Sequence, residues 1–303
     1  MNEMKGNSMA VFNSNDIYPV SADSELPFEQ HRDIFHLTGI DQEETILLLY
    51  PHSKDDKTRE ILFIRKSDNH TKVWEGEKLS KKQANELSGI DSIYLIDDFK
   101  DILSSIATKV DTFYINKNEH YRANSPVETR EDRFISWLLK KYPAHNVAKS
   151  NPILQRQRSV KHPDEIDQIK KACDITRKGF NRVLEFIKPN VWEYQIEAEF
   201  IHEFINSSSK GFAYSPIIAS GNDNNVLHYI KHNKQCKSGE LILMDVGAEY
   251  GNYSSDMTRT VPVSGKFSKR QKEIYNAVLR VKNEATKLLT VGNNWKLFHK
   301  QVG

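Results

Sequence analysis

The chain has 303 residues and a formal net charge of +2, with 38% hydrophobic and 28% charged residues. That balance fits a globular protein in water and gives no electrostatic footprint for nucleic acid or an anionic membrane. No run of about 18 apolar residues exists to span a bilayer. The length suggests two domains. Met1 to Ala10 is polar and lacks the apolar core of a signal peptide, so a cytoplasmic location is expected. In that compartment Cys173 and Cys236, far apart in sequence, are expected as free thiols.

Residues 1–155 read as alternating strands and helices. Thr45 to Tyr50 is a short apolar run closed by Pro51, and Glu60 to Ile64 is another, both consistent with buried strands. The charged stretch His52 to Arg59 between them reads as a loop. Ser80 with Gln83 three residues on is a capping-box pattern opening a helix to Leu87. A strand over Ser92 to Ile96, a helix over Phe99 to Ala107 and a strand over Thr112 to Ile115 follow. Phe134, Trp137 and Leu138 form an apolar stripe on a helix from Arg130 to Lys141. Trp74 and Tyr94 are expected to pack in the core, as aromatics beside strands do, the alternative being that they shape the entrance to a site in a neighbouring subunit. This alternation predicts an α/β domain.

Asn151 to Pro163 is polar, basic and proline-bounded, and reads as the link between domains. Residues 156–303 form the second. Pro163-Asp164-Glu165 opens a long helix, with proline and acids in its first turn. Trp192 to Ile205 is a second amphipathic helix. Strands and turns follow from Gly211, and helix returns over Phe267 to Leu289 with Ser268 as N-cap.

The stretch from Glu240 to Thr260 carries the most information. Leu241 to Met244 is an apolar strand running into Asp245. Gly251-Asn252 supplies a turn, and Tyr253 begins a returning strand. A turn centred between Tyr250 and Gly251 sets Asp245 opposite Asp256. A two-residue slip leaves them diagonal on the same face, whereas a one-residue slip separates them. Directly opposed Cβ atoms lie about 4.5–5.5 Å apart, so two ionised carboxylates there repel. A shared proton, a basic neighbour such as Arg259, or cations would relieve that repulsion. Carboxylates are hard ligands suited to Mg, Ca or Mn, and paired metals about 3.5–4 Å apart are a recurring hydrolytic device. A second candidate is His228, delivered by the turn-rich run Gly221 to Asn225 beside Tyr229. It is either a surface-loop histidine or a group that hydrogen-bonds substrate and stabilises transition-state charge.

Together these stretches resemble the catalytic domain of the pita-bread metallopeptidases. The resemblance lies in Asp245-Val246-Gly247, in Ser255-Asp256-Met257-Thr258-Arg259-Thr260 with the following Val261 to Phe267, and in Leu227-His228-Tyr229 upstream. Ser21 to Asp33, leading into Ile34-Phe35-His36-Leu37-Thr38-Gly39, is similar to the N-terminal domain of the aminopeptidase P family. The resemblance implies an α/β (α+β) fold: an N-terminal α/β domain over residues 1–155, then part of a pita-bread domain over 156–303. It implies a metallo-aminopeptidase that releases the first residue of peptides with proline second. It also implies two divalent ions, usually manganese, with Asp245 and Asp256 as ligands and His228 as the catalytic substrate-side histidine. Homo-oligomers are part of the same implication.

The family completes its metal site with one histidine and two glutamates further downstream. His299, Glu273 and Glu284 do not match them, so three of five ligands are expected outside these residues. The expectation is an inactive chain with apolar surface exposed. A prolidase cleaving Xaa-Pro dipeptides and a non-catalytic peptide- or protein-binding member of the fold are the alternatives.

Overall fold

A computed structural model describes residue 1, residues 3–118 and residues 126–303. The chain divides into two units, Met1–Lys161 and His162–Gly303.

In the first unit the elements run β1 (Ser8–Asn13), β2 (Pro19–Ser21), β3 (Ser24–Glu25), α1 (Arg32–Thr38), β4 (Ile46–Leu49), β5 (Glu60–Ile64), α2 (Asn69–Glu75), α3 (Lys81–Ser88), β6 (Ser92–Leu95), α4 (Phe99–Ala107), β7 (Thr112–Ile115), α5 (Arg130–Lys141), β8 (Asn146–Lys149) and α6 (Asn151–Ser159). Six strands form one mixed sheet in the order β6-β5-β4-β1-β7-β8, while β2 and β3 make a separate exposed hairpin. Every residue of β1 is buried. Met9 and Val11 join a cluster with Phe63, Phe113, Leu103 and Leu138 on the side of α4 and α5. Ala10 and Phe12 join Leu47, Leu62, Ile34, Ala84 and Leu154 on the side of α1, α3 and α6. A strand covered on both faces has no polar alternation, which is why β1 leaves no period-two mark in the sequence.

The capping box forms as read, with Ser80 Oγ accepting from Gln83 N and the Gln83 side chain returning to Ser80 N. Two expectations are corrected. Asn151 to Pro163 is not one linker: α6 occupies Asn151–Ser159 and buries Leu154. Pro152 stands in the first turn of α6, where its missing N–H would have no helical partner anyway. Trp74 is not in the core but 76% exposed on α2. Tyr94 is at the edge of the core, its ring 6.1 Å from that of Phe63.

The second unit contains α7 (Pro163–Phe186), α8 (Glu193–Asn206), β9 (Ile217–Ser220), β10 (Leu241–Val246), β11 (Glu249–Tyr250), β12 (Tyr253–Ser254), β13 (Met257–Pro262), α9 (Lys269–Leu288) and α10 (Trp295–Val302). Helices α7 and α8 pack closely because Gly179 makes room. A Cβ there would stand 2.8 Å from Phe204 Cε1 and 2.9 Å from Phe200 Cδ1. The antiparallel sheet β13-β10-β9 lays Ile218, Ile242, Met244 and Val246 against Ile175, Val183, Ile196, Phe200 and Phe204. Phe200 is fully buried and meets the Phe180 ring edge-on at 5.1 Å. Phe200→Ala is therefore expected to lower stability by about 3–5 kcal/mol, read from the urea midpoint; a shift near zero would mean the helix pair repacks freely. Helix α9 buries none of its residues, and Ile274, Val278 and Val281 are exposed. No described helix is long and apolar enough to cross a membrane.

Candidate functional site

Strand β10 carries Asp245 near its end, half-buried, with Met244 and Val246 fully buried on either side. The chain then reverses through Gly251 and Asn252, whose φ values are +56° and +66°. Two consecutive positive φ angles make a two-residue type I′ turn, which matches the twist of the strands it joins. That turn pairs Tyr250 with Tyr253 and sets Asp245 opposite Thr258. The expected direct opposition of Asp245 and Asp256 is thus displaced by two residues. Asp256 lies two positions before Thr258, in the break between β12 and β13, and remains diagonal to Asp245 on one face.

A third residue joins them. Tyr214 OH stands 2.6 Å from Asp245 Oδ1 and 3.1 Å from Asp256 Oδ1. The two carboxylate oxygens are therefore no further apart than the sum of those distances. Tyr214 is placed by backbone pairing: Phe212 bridges Ala248, and Ala213 N donates to Gly247 O at 2.8 Å. Burial, reinforced by the Asp245 hydrogen bond, pushes the Tyr214 phenol well above its usual range, so it stays a donor. No sequence pattern marks this tyrosine, which lies in a loop 31 residues from Asp245.

The Asp256 segment is tied to the helical layer. Ser255 Oγ lies 2.7 Å from Thr176 Oγ1 on α7, and Ala248 N donates to both hydroxyls. Gly247 permits this closure, since a Cβ there would fall 1.9 Å from Ser255 O. Arg259 does not neutralise the pair. Its Nη1 donates to Thr258 O, and no ion pair reaches Asp245 or Asp256 among the described residues.

An uncompensated pair of carboxylates is a costly arrangement for ionised groups and a suitable one for hard divalent cations. The donor chemistry fits, as part of a ligand set: among the described residues no group of three His, Cys, Asp or Glu side chains is assembled.

His228 is exposed in the turn after the Gly221–Asn225 segment, a short 3-10 helix leaving the Ser220 end of β9. Ile217, not Ser220, is level with Asp245. That departure point is three residues, or about 10 Å, along the strand from the aspartates. No hydrogen bond or ion pair joins His228 to either aspartate among the described residues. Its neighbour Tyr229 is buried, and the Tyr229 OH donates to Glu193 Oε2 at 2.7 Å.

Residues 1–114 match the family model for the aminopeptidase P N-terminal domain, and residues 167–303 match that for metallopeptidase family M24. A Bacillus anthracis structure assigned as aminopeptidase P superposes with a TM-score of 0.92 at 30% identity, covering 99% of this chain and 71% of that one. The chain belongs to the aminopeptidase P family. Zinc-substituted aminopeptidase P from Escherichia coli, solved with product, superposes with a TM-score of 0.88 at 29% identity over 99% of this chain and 68% of that one. The Xaa-Pro aminopeptidase of Escherichia coli K12 is 31% identical over 280 residues, 90% of this chain and 62% of that protein. Human Xaa-Pro aminopeptidase 3 is 29% identical over 93% of this chain and 55% of its own length. The chain thus spans between half and two thirds of the length of these two relatives. Its mixed α/β architecture is that of the aminopeptidase P fold, with the N-terminal domain ahead of the pita-bread domain.

Proposed function

We propose that Asp245 and Asp256 are metal ligands, and His228 the substrate-side histidine, of a manganese-dependent Xaa-Pro aminopeptidase. One observation carries the reading: two carboxylates meet at the Tyr214 hydroxyl, and among the described residues no basic side chain is paired to them. Bound divalent cations would supply a water activated near neutral pH and polarise the scissile carbonyl. Asp245 is held by the β10 ladder and Asp256 by the Ser255–Thr176 anchor, so both oxygens are positioned before any cation arrives. Tyr214 keeps its proton and orients the carboxylates. His228, exposed on its loop, donates to a substrate carbonyl. The substrate is a peptide with proline second, and the same reading includes a homo-oligomer working in the cytoplasm.

The test uses this chain extended with the downstream segment of the Escherichia coli relative. It is incubated with Mn²⁺ and a tripeptide carrying proline second, and release of the first amino acid is followed. Release from the tripeptide is the expected result. Hydrolysis of the Xaa-Pro dipeptide alone would make the protein a prolidase, and metal binding without hydrolysis would make it a binding member of the fold. With a donor set of two carboxylates, the 303-residue chain by itself is expected to release nothing.

A further inference from the structure

Glu193 opens α8 and is fully buried, yet no lysine, arginine or histidine forms an ion pair with it among the described residues. Four donors satisfy it instead. Oε1 accepts from Ser220 N and Ser220 Oγ, both at 2.7 Å. Oε2 accepts from Tyr229 OH at 2.7 Å and from Lys234 N at 3.1 Å. A buried carboxyl group without donors would cost several kcal/mol, so each of these contacts is needed.

The donors come from three places in the chain, and two of them bracket one loop. Ser220 is the last residue of β9 and Tyr229 directly follows His228. Between these anchors the loop turns outward, with Leu227 87% exposed and His228 exposed. The return path is held by neighbours of the same helix face. His232 Nε2 accepts from Ile218 N at 3.2 Å, so its proton sits on Nδ1, which donates to Glu197 at 2.8 Å. Glu193 N itself donates to Lys234 O. Asn224 adds a tie in the middle of the loop, to Leu241 O and Leu243 N of β10.

We propose that Glu193 is a positioning residue for His228, clamping both ends of the loop that presents the imidazole. The inference rests on the catalytic role given to His228 above. Glu193 touches no substrate. It removes the freedom of the Ser220 and Tyr229 ends, so that the exposed imidazole is presented in one place before substrate binds.

Tyr229→Phe removes one donor with little change of shape, and Glu193→Gln replaces one acceptor by a donor. Both are examined in the 303-residue chain by amide hydrogen exchange and by the ring resonance of His228, assigned through His228→Ala. The expected result is exchange about ten- to a hundredfold faster over residues 221–229, with β10 and α8 unchanged. The His228 resonance should move towards that of a free histidine. Unchanged loop exchange in Tyr229→Phe, or faster exchange spread evenly over the second unit, overturns the proposal and leaves Glu193 a packing residue. Should Glu193→Gln fail to fold, Tyr229→Phe decides alone. In the extended chain, His228→Ala tests the other premise separately. If that variant keeps full turnover, the role of His228 fails while the exchange result still reports the loop clamp.

Discussion

Gly247→Ala is expected to cost about 3 kcal/mol or more of folding free energy, at the upper end of overpacking effects. The reason is steric rather than conformational, because Gly247 has no positive φ. An alanine Cβ would lie 1.9 Å from Ser255 O, 2.7 Å from Ser255 C and 3.1 Å from Tyr214 Cε1. Two of these atoms are backbone and have no rotamer to escape into. Residue 247 cannot retreat either. Its carbonyl accepts from Ala213 N, and the next amide is bound to Thr176 Oγ1 and Ser255 Oγ. Relief requires pushing the Ser255-Asp256 segment outward, which breaks the Ser255–Thr176 contact and carries Asp256 away from Asp245. A urea titration reads the stability loss, and Mn²⁺ binding by the extended chain reads the displacement. A variant within 0.5 kcal/mol of the parent would mean that the 255–256 segment is mobile and that the close approach is not a constraint.

The contrast between Gly247 and Tyr214 shows which parts of the site were legible from sequence. Asp245-Val246-Gly247 is a local motif, and the common face of Asp245 and Asp256 follows from strand periodicity once the chain reverses through a loop with an even number of residues. The register did not follow, because the residues before and after Gly251-Asn252 fit more than one turn. The positive φ of Asn252 decides for a two-residue loop, and an asparagine is one of the few residues that tolerates it. Tyr214 escaped because its place depends on pairing between Phe212 and Ala248, a contact of long sequence separation in a segment without period. Glu193 escaped for a related reason: in the sequence it is one more acid in a helical first turn, and only the fold brings Ser220, Tyr229 and Lys234 to it. Elements with exposed faces are legible in the sequence, α4 and α5 to the residue. The central strand β1 and the short helix α6 are not. One is buried on both faces, and the other carries in its first turn a proline that also fits a linker.

Asp245→Asn is the substitution with the largest expected effect on the centre itself. Asparagine keeps the shape and an oxygen that can accept from the Tyr214 hydroxyl, so the β10–β13 ladder and the hydrogen bond to the phenol should survive. What changes is charge: one of two adjacent carboxylates becomes neutral. For the empty chain this relieves repulsion, and stability is expected to stay level or rise slightly. For metal binding the sign is opposite, because affinity of oxygen sites for divalent cations follows the number of ligand charges. Mn²⁺ affinity of the extended chain is expected to fall by more than about a hundredfold, and turnover of the proline-second tripeptide to disappear. Calorimetric titration with Mn²⁺ measures the affinity, and urea unfolding without metal measures whether the fold is intact. Loss of binding with an intact fold assigns Asp245 to the metal. Full affinity in Asp245→Asn would place the cations elsewhere, and the Tyr214-linked carboxylates would then be a structural pair whose repulsion is relieved by the phenol alone.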